Sequence, residues 1–372
     1  MDRTDDGQEC QVIDDPSVRR YLDFFKRQYR GDPGYSCTAE FTLSSVLQGS
    51  TKFVRSCWVR PLLVESNGQV VAQCILIHDP ALDVLQLGFF EALPDQQAAV
   101  TVLLDQARQA AATRNLKTVV IGMNGHLSMG VGILVSGFTP ISFGSNWNKP
   151  YYAQYFKNLQ SIRLGAFRGP ISEVLAEAGR RDALPQPCPG VPTGVPTGVT
   201  VRCADLKCWD QEMETFRILC DATLGTTNLY APTQPGHFAE LLGDLKPFLK
   251  PENLLFVMAG QQAVGFWFWH PDYNQVLPFG RSAGVAEIAL RYFLRGSRIR
   301  TGISNAIGVL PNYRGVATTA LMRRMAQIVG GRFDSFETTF IWGNNDASNM
   351  FAKRSGAKPW REYAVWIDEV PL

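Results

Sequence analysis

Residues 306–325 constrain the fold most, because they read as an apolar strand, a tight turn and an amphipathic helix. The turn contains Arg314 and Gly315, and small residues follow it. Backbone N–H groups at the start of such a helix, together with the positive end of its dipole, can hold a pyrophosphate. The stretch therefore indicates an α/β enzyme with a phosphate-bearing cofactor. An ordinary strand, turn and helix of an α/β core is the alternative.

Length and composition indicate a folded protein of about two domains. The 372 residues exceed one typical domain, and 45% are hydrophobic and 19% charged. A net charge of +2 gives no reason to expect a nucleic-acid partner. No apolar run has the length of a membrane span, and the acidic N-terminus differs from a signal peptide. We therefore expect a cytoplasmic protein without an integral membrane segment.

The eight cysteines give no sign of a metal site. They form no Cys-x-x-Cys pair, and no Cys/His cluster has zinc-ligand spacing. Disulfides would be expected of a secreted protein. Since the signal-peptide pattern is missing, we expect free thiols instead.

A Pro/Gly-rich segment, residues 185–198, is predicted to divide the chain. It repeats Gly-Val-Pro-Thr, and proline fixes φ and removes backbone donors, so a semi-rigid linker is expected. It separates an N-terminal domain, residues 1–184, from a C-terminal domain, residues 199–372. The order hairpin, strand, helix, strand, helix occurs in each half, which predicts a duplicated α/β fold.

The periodicity of apolar residues gives the individual elements. In the first half it predicts strands at 62–65, 70–78, 84–92 and 117–122, helices at 95–113 and 150–159, and a long loop at 123–149. In the second half it predicts strands at 199–203, 254–259, 263–270, 303–310, 335–342 and 363–367, and helices at 208–223, 238–249, 285–294, 318–329 and 347–355.

The turn segment resembles the acyl-CoA-binding motif of the GNAT acyltransferases, in which a strand leads through Arg/Gln-x-x-Gly-x-Gly/Ala into a helix that caps the CoA pyrophosphate. Arg314 takes the Arg/Gln position, and Ala317 and Thr319 stand where the two glycines usually stand. The resemblance implies tandem GNAT-like domains, each a mixed central sheet flanked by helices, with acyl-CoA as co-substrate. It implies cofactor contacts from Val309, Leu310, Arg314, Gly315, Val316, Ala317, Thr318, Thr319 and Asn345.

More of the chain resembles a two-domain GNAT group, the bacterial ceramide synthase-like proteins. The matching segments are residues 21–33, 88–91, 132–138, 149–152, 271–274, 308–315 and 345–356. This implies acyl transfer from CoA to a primary amine, either an amino lipid such as a sphingoid-like base or a specialised metabolite. A catalytically inactive GNAT-fold binding protein is the alternative, because Ala317 and Thr319 replace the two motif glycines and Ala352 stands where many GNAT enzymes carry a tyrosine.

The first half differs at the position that matters for CoA. Its strand at 84–92 is followed by Leu93, Pro94 and Asp95, without an Arg-Gly turn. Asp95 would place negative charge where the pyrophosphate belongs, and we interpret it as a helix N-cap. The first domain is therefore predicted to be degenerate in CoA binding and to be structural, or to shape the acceptor site.

Three side chains are candidates for proton transfer. Glu337 lies on the strand beside the CoA-binding strand, where burial would raise a carboxyl pKa toward neutrality; a water-facing carboxylate is the alternative. His270 titrates near neutral pH but could be a surface residue at a strand end. The family resemblance implies that backbone N–H groups of Val309 and Leu310 polarise the thioester carbonyl. Tyr363, or a water, could replace the tyrosine that many GNAT enzymes carry at the position of Ala352 and use as an acid.

Other residues are candidates for binding the acceptor. Alternation puts Trp267 and Trp269 on one face of a strand, where they could line a tunnel for an apolar chain or pack in the core. Asp272 and Asn274 could orient an amine or build a turn. A basic cluster could attract CoA phosphates or give peripheral contact with an anionic membrane, or it could be a solvated face: Arg291, Arg295, Arg298 and Arg300.

Overall fold

The computed structural model describes residues 2–3, 9–36, 38–182 and 198–370, which fall into two compact units. Unit 1 comprises Met1–Leu164, Pro278–Ala283 and Arg361–Leu372, and unit 2 comprises Gly165–Leu277 and Gly284–Trp360. The division differs from the predicted boundaries because the end of the chain belongs to unit 1. Residues 185–197 of the predicted linker lie outside the described residues.

Unit 1 is built on a sheet that is antiparallel except for one parallel pair. Its strands are β1 (Asp2–Arg3), β2 (Glu9–Asp14), β3 (Trp58–Ser66), β4 (Gln69–His78), β5 (Leu85–Ala92), β6 (Thr118–Ile121), β7 (Ile133–Ser136) and part of β15 (Lys358–Glu369). Its helices are α1 (Val18–Tyr29), α2 (Thr38–Leu47), α3 (Lys52–Ser56), α4 (Gln97–Thr113) and α5 (Tyr152–Tyr155). The strand order is β1-β2-β3-β4-β5-β6-β15, with β7 on β15, and β5 and β6 are the parallel pair.

Unit 2 repeats this arrangement. Its strands are part of β8 (Gln160–Pro170), β9 (Thr200–Cys203), β10 (Leu254–Ala259), β11 (Gln262–Pro271), β12 (Thr301–Val309), β13 (Ser335–Thr338) and β14 (Ile341–Trp342). Its helices are α6 (Ile171–Asp182), α7 (Trp209–Leu224), α8 (His237–Leu241), α9 (Val285–Arg295), α10 (Arg314–Val329) and α11 (Asp346–Arg354). The order is β8-β13-β12-β11-β10-β9, with β12 and β13 parallel.

The central strands of both units follow from local sequence. Asn67 and Gly68 have φ of 52° and 72°, so they close the β3–β4 hairpin with a two-residue turn. Gly260, with φ of 61°, does the same between β10 and β11. In each unit a hairpin leads to a strand, a crossover helix and a parallel strand, which is the predicted duplication.

Aromatic side chains of β11 fill both faces of the unit 2 sheet. Phe266 and Phe268 contact Phe216 of α7, with ring centroids 4.9 and 5.6 Å apart. Trp267 and Trp269 point to the opposite face and contact Phe336 of β13 at 6.3 and 6.0 Å. This alternation buries the whole run and fixes the register of the strand.

Several predicted elements need correction. Helix α10 begins at Arg314, so Arg314 and Gly315 are helical, and the turn before them is the 3-10 segment Pro311–Tyr313. The helix predicted at 238–249 is α8 followed by a 3-10 turn, Gly243–Phe248, which contains Pro247. The strand predicted at 335–342 is interrupted into β13 and β14, and the helix predicted at 150–159 shrinks to α5.

The predicted N-cap at Asp95 is also wrong. Asp95 is left-handed, with φ of 59°, and the N-cap of α4 is Gln96, which makes no side-chain cap hydrogen bond. Strand β7 lies within the predicted loop at 123–149, and β8 and α6 lie in a region for which no element was predicted.

Within the described ranges, no helix is long and apolar enough to cross a membrane. The same residues contain no group of three or more side chains placed to hold a metal ion. Their six cysteines are all free.

We predict that Gly308→Ala destabilises unit 2. A Cβ at Gly308 of β12 would lie 2.2 Å from Thr223 Oγ1 and 2.5 Å from Phe266 Cε1. Thr223 is held by its hydrogen bond to Leu219 O, and Phe266 is buried, so neither can move freely. Overpacking of this kind costs about 1–3 kcal/mol of unfolding free energy, measurable by urea denaturation. Gly284→Ala is the control, since its Cβ would meet no atom within 4 Å, and equal stability of the two variants would contradict this packing.

Candidate functional site

Strands β12 and β13 part after a short parallel pairing. The pairing runs from Thr301 opposite Ser335 to Ser304 opposite Thr338, and Thr339 N then donates to Ser304 O at 3.1 Å. Strand β12 continues to Val309 beside β11, whereas β13 ends at Thr338. Residues 306–309 of β12, called the open edge below, therefore pair with β11 alone among the described strands.

A β-bulge lies where the two strands part. Phe268 is opposite Ala306 and Trp269 is opposite Ser304, so Asn305 is one extra residue in β12. The Nδ2 atom of Asn305 is buried and has no hydrogen-bond partner among the described residues. A buried amide donor without a partner is uncommon and suits an acceptor atom supplied by a ligand. No sequence pattern indicates this residue, because a bulge has no periodic signature.

The last residues of β12 present one backbone donor to the open edge. Leu310 N donates to Val264 O of β11 at 2.9 Å. Successive N–H groups of a strand point to opposite sides, so the N–H of Val309 points away from β11. Of the two backbone donors predicted for the thioester carbonyl, Leu310 is thus used within the sheet and Val309 faces the open side.

Helix α10 begins beyond the open edge. Arg314 and Gly315 are exposed in its first turn, which contains no acidic residue, and its N-cap, Tyr313, makes no side-chain hydrogen bond. The N–H of Arg314 donates to Pro311 O, so the N–H groups that follow it in the first turn are the ones that carry the positive end of the helix dipole. The arrangement therefore fits an anion such as a pyrophosphate.

The small residues of the motif have separate local roles. Ala317 is fully buried, and in the helix Thr319 Oγ1 donates to Gly315 O at 3.0 Å. The hydroxyl of Thr319 is thus satisfied within the helix, which explains how a branched residue fits a position that the motif usually gives to glycine or alanine. Val316 and Thr318 are partly exposed.

Unit 1 contains the same parting of strands. Strands β5 and β6 pair over three residues, from Leu85 opposite Val119 to Leu87 opposite Ile121. Leu93 N donates to Val71 O of β4 at 2.8 Å, as Leu310 N does to Val264 O. Ala92 of unit 1 therefore corresponds to Val309 of unit 2.

Tyrosines at and within α5 occupy the backbone groups at this position in unit 1. Ala92 N donates to Tyr152 Oη at 3.2 Å, and Tyr151 Oη donates to Ala92 O at 2.8 Å. Tyr155 Oη donates to Leu93 O and accepts from Gln96 N. The groups that would meet a cofactor in unit 1 are thus already satisfied by the chain itself, which supports the prediction that this half does not bind CoA.

A buried carboxyl group anchors these tyrosines. Tyr29 Oη lies 2.8 Å and Tyr152 Oη 2.5 Å from Glu91 Oε2. Burial raises the pKa of Glu91 to about 8, although both hydroxyls lower it. The sequence offered no sign of this cluster, because its members come from α1, β5 and α5.

The two predicted proton-transfer residues of unit 2 lie in one row across the sheet. His270 of β11 is opposite Ile303 of β12, which is opposite Glu337 of β13. Residues directly opposite each other point to the same face, so both side chains flank Ile303, with backbones about 10 Å apart. Both residues are buried, at 1% exposure for Glu337 and 2% for His270, so neither is the surface residue considered as the alternative.

The environment of His270 makes it a weak base. Its Nδ1 lies 2.8 Å from Pro271 O, and its ring stacks on Tyr273 at 5.4 Å. Burial lowers the pKa of His270 to about 4, against a smaller opposing effect of the Pro271 carbonyl. The imidazole is therefore neutral at pH 7.

Arg168 of β8 is a residue that the sequence did not indicate, since β8 was not predicted. It is opposite Glu337 in the sheet register. Its Nη2 lies 3.3 Å from Thr301 Oγ1 and 3.2 Å from Ser335 Oγ, and its guanidinium lies over the Trp360 ring at 4.9 Å. A cation is thus built into the row that contains Glu337.

The predicted acceptor-binding tryptophans have the contacts of core residues. Trp267 and Trp269 are buried, and their Nε1 atoms donate to Ser304 Oγ at 2.8 Å and to Glu252 O at 2.7 Å. Their indole N–H groups are thus satisfied within unit 2, as core packing on both faces requires. A role in lining a channel stays a prediction.

The remaining predicted site residues lie apart from the open edge or have local roles. Asp272 Oδ1 accepts from Asn274 N at 3.3 Å and starts a short 3-10 turn, and both residues are buried. Asn345 caps α11 by accepting from Ser348 N at 3.1 Å. Tyr363 is a buried residue of unit 1, where it is opposite Leu134 of β7.

We predict that His270 contributes to acid sensitivity of the fold. Because the pKa of His270 is about 4 in the folded chain and 6.5 ordinarily, the unfolded chain binds the proton more tightly between those values. The neutral His270 therefore makes its full contribution to the unfolding free energy above about pH 6.5. That contribution falls as the pH drops toward 4, by about 2 kcal/mol at pH 5. Urea denaturation measures the unfolding free energy that is lost between pH 7 and pH 5. This loss should be about 2 kcal/mol smaller in His270→Gln than in the original chain. An identical loss in both proteins would mean that His270 is protonated as easily folded as unfolded.

Two curated proteins are similar to most of this chain. Protein YghO of Escherichia coli strain K12 is 21% identical over 349 residues, which cover 88% of this chain and 85% of that protein. A bacterial ceramide synthase of Caulobacter vibrioides is 23% identical over 295 residues, covering 74% and 73%. No family model matches the chain.

A solved structure gives the fold. The tandem GNAT protein from the clavulanic acid biosynthesis pathway matches with a TM-score of 0.57 and 11% identity, over 98% of this chain and 99% of that one. In both units a crossover helix joins two parallel strands that soon part, as the duplicated architecture requires. The predicted fold is confirmed: the chain is a two-domain GNAT-fold protein that resembles the bacterial ceramide synthase-like group.

Proposed function

We propose that the protein is an acyl-CoA-dependent N-acyltransferase whose C-terminal half, residues 199–372, binds the cofactor. One observation carries the proposal: the open edge of β12 leads through the 3-10 turn Pro311–Tyr313 to the N-terminus of α10, which has no side-chain cap. The edge offers a strand of backbone groups to the pantetheine arm, and the helix offers N–H groups to the pyrophosphate. The N-terminal half, residues 1–184, is proposed to be degenerate in this respect, because its corresponding groups bond to tyrosines.

The residues present fit acyl-CoA. Arg314 and the N–H groups of the first turn of α10 would hold the pyrophosphate, and Ala317 keeps the helix close to the sheet. The N–H of Val309 would donate to the thioester carbonyl, and the unpaired Nδ2 of Asn305 would meet a second acceptor along the open edge. No acidic side chain of the first turn of α10 opposes the negative charge of the phosphates.

The reaction requires one proton to leave the amine and one to reach sulfur. Glu337 is proposed to take the amine proton, directly or through water, as the nitrogen attacks the thioester carbonyl. The C–N bond forms, the C–S bond breaks, and the Val309 N–H stabilises the oxyanion between these events. The CoA thiolate then takes a proton from water. The neutral imidazole of His270 is suited to holding a hydrogen bond rather than to strong base chemistry.

The acceptor is proposed to be a primary amine. The name of one relative, a bacterial ceramide synthase, favours an amino lipid such as a sphingoid-like base. A specialised metabolite is the other acceptor class, since one structural neighbour comes from the clavulanic acid pathway. Asp272 and Asn274 could contact the amine only after leaving the buried turn that they build.

A catalytically inactive GNAT-fold binding protein is the second candidate. It is favoured by α11, where the buried Ala352 stands in the position at which many GNAT enzymes carry an acid. The two candidates differ in turnover: the enzyme releases free thiol when acyl-CoA and an amine are added, and the binding protein does not.

We predict that Arg314→Glu weakens acyl-CoA binding roughly 30- to 100-fold, because it loses a phosphate contact and places a like charge at the helix N-terminus. Calorimetric titration with palmitoyl-CoA and desulfo-CoA measures the affinity. Lys207→Glu makes the same charge change at an exposed site of unit 2 outside α10 and should bind as the original chain does. Unchanged affinity in Arg314→Glu would place the pyrophosphate elsewhere.

We predict that Glu337→Gln lowers kcat roughly 10²- to 10⁴-fold while acyl-CoA affinity stays within about twofold, because the amide cannot accept the amine proton. The assay follows free CoA thiol with a long-chain amino alcohol and with short primary amines. Glu252→Gln changes a partly exposed carboxylate of the same unit and is the matched control. A kcat equal to that of the control would remove Glu337 as the base.

A further inference from the structure

Helix α9 has one face in contact with unit 2 and one bare apolar face. Ile288 is buried, and Tyr292 packs edge-on against Tyr273 with centroids 5.0 Å apart. Leu290, Phe293 and Leu294 are 58%, 86% and 65% exposed. Their spacing of three and four residues puts them side by side on one face of the helix. Only two other large hydrophobic side chains of the described residues are exposed, Ile218 and Met350.

Exposed arginines lie at the end of α9 and directly after it in the chain. Arg291, at the centre of the helix, is paired with Glu287 through contact of Nε with Oε1 at 2.7 Å. Arg295, Arg298 and Arg300 are exposed and form no ion pair with any described carboxylate. Leu290, Phe293 and Leu294, together with these three arginines, are called the α9 patch below.

We propose that the α9 patch docks onto an anionic lipid surface. An amphipathic helix in a membrane interface places Leu and Phe among the acyl chains while neighbouring arginines meet the anionic headgroups. Helix α9, with 11 residues, is suited to lying in the interface and is too short to cross a bilayer.

The charge of the patch also argues against a second copy of the chain as its occupant. A symmetric contact through the patch would bring the arginines of two copies together without described acidic partners, which opposes association. An anionic bilayer supplies an apolar interior for the hydrophobic side chains of the patch and negative headgroups for its arginines. The proposal goes beyond acyl transfer and does not depend on it, since α9 lies outside the β12 and α10 groups assigned to CoA.

Vesicle flotation with the full chain tests the proposal. Vesicles of phosphatidylcholine with phosphatidylglycerol should bind the protein, and vesicles of phosphatidylcholine alone should bind it much less. Raising the salt concentration should weaken the binding, because it screens the arginines. The double variant Leu290→Gln, Phe293→Gln should bind at least roughly tenfold more weakly, and each of Arg295→Gln and Arg298→Gln should cost roughly fivefold.

The controls separate docking from folding and from CoA binding. Ile218→Gln removes an exposed hydrophobic side chain from α7 and should leave vesicle binding unchanged. Because all the changed residues are exposed, each variant should keep the thermal unfolding curve and the palmitoyl-CoA affinity of the original chain. Failure to bind anionic vesicles, or equal binding by the Leu290/Phe293 variant, overturns the proposal. The proposal is also overturned if light scattering shows a dimer for the original chain and a monomer for Phe293→Gln. A second copy of the chain would then cover the patch.

Discussion

The parting of β12 from β13 is the constraint on which the account of this protein depends. In a sheet, the backbone N–H and C=O groups of a central strand are normally satisfied by neighbours on both sides. Here, pairing stops at Ser304 and Thr338, so the open edge and the bulged Asn305 keep donors directed away from β11. The backbone groups of this partly exposed edge take water or another molecule as their partner. The edge leads to the N-terminus of α10. A molecule with an extended arm and an anionic group would therefore suit both.

Unit 1 shows how the same parting is completed without a ligand. Tyr152 Oη accepts from Ala92 N, the counterpart of Val309, and donates to the buried Glu91. Each hydroxyl supplies hydrogen bonds worth about 1 kcal/mol net, and its ring adds apolar burial, so the closed state is stabilised by the chain's own residues. The two units thus share one parting of strands, and in unit 1 tyrosine hydroxyls bond to the backbone groups at that place. The difference between the two halves is therefore chemical rather than topological.

Sequence patterns predicted the parts of the fold that have a strong local cause. The hairpins followed from Asn67-Gly68 and Gly260, and the motif at 306–325 placed β12 and α10 correctly apart from the first turn of the helix. Helix α10 began earlier than predicted because Arg314 and Gly315 accept helical angles directly after the 3-10 turn at Pro311. Strands β7 and β8 were missed because β7 is short and lies among glycines, and the apolar residues of β8 do not alternate strictly.

The candidate site was predictable only where the family motif or a strand register carried it. The motif indicates the N-terminus of α10 and Val309, and the sequence also indicates the burial of Glu337. Asn305 depends on a bulge, and Arg168 lies on a strand that was not predicted.

The most direct test of the central claim is calorimetric titration of the full chain with a non-hydrolysable acyl-CoA analogue. The open edge of unit 2, and the tyrosine hydroxyls that bond to the corresponding backbone groups of unit 1, predict one bound analogue per chain. Two bound analogues, or none at saturating concentration, would contradict the account.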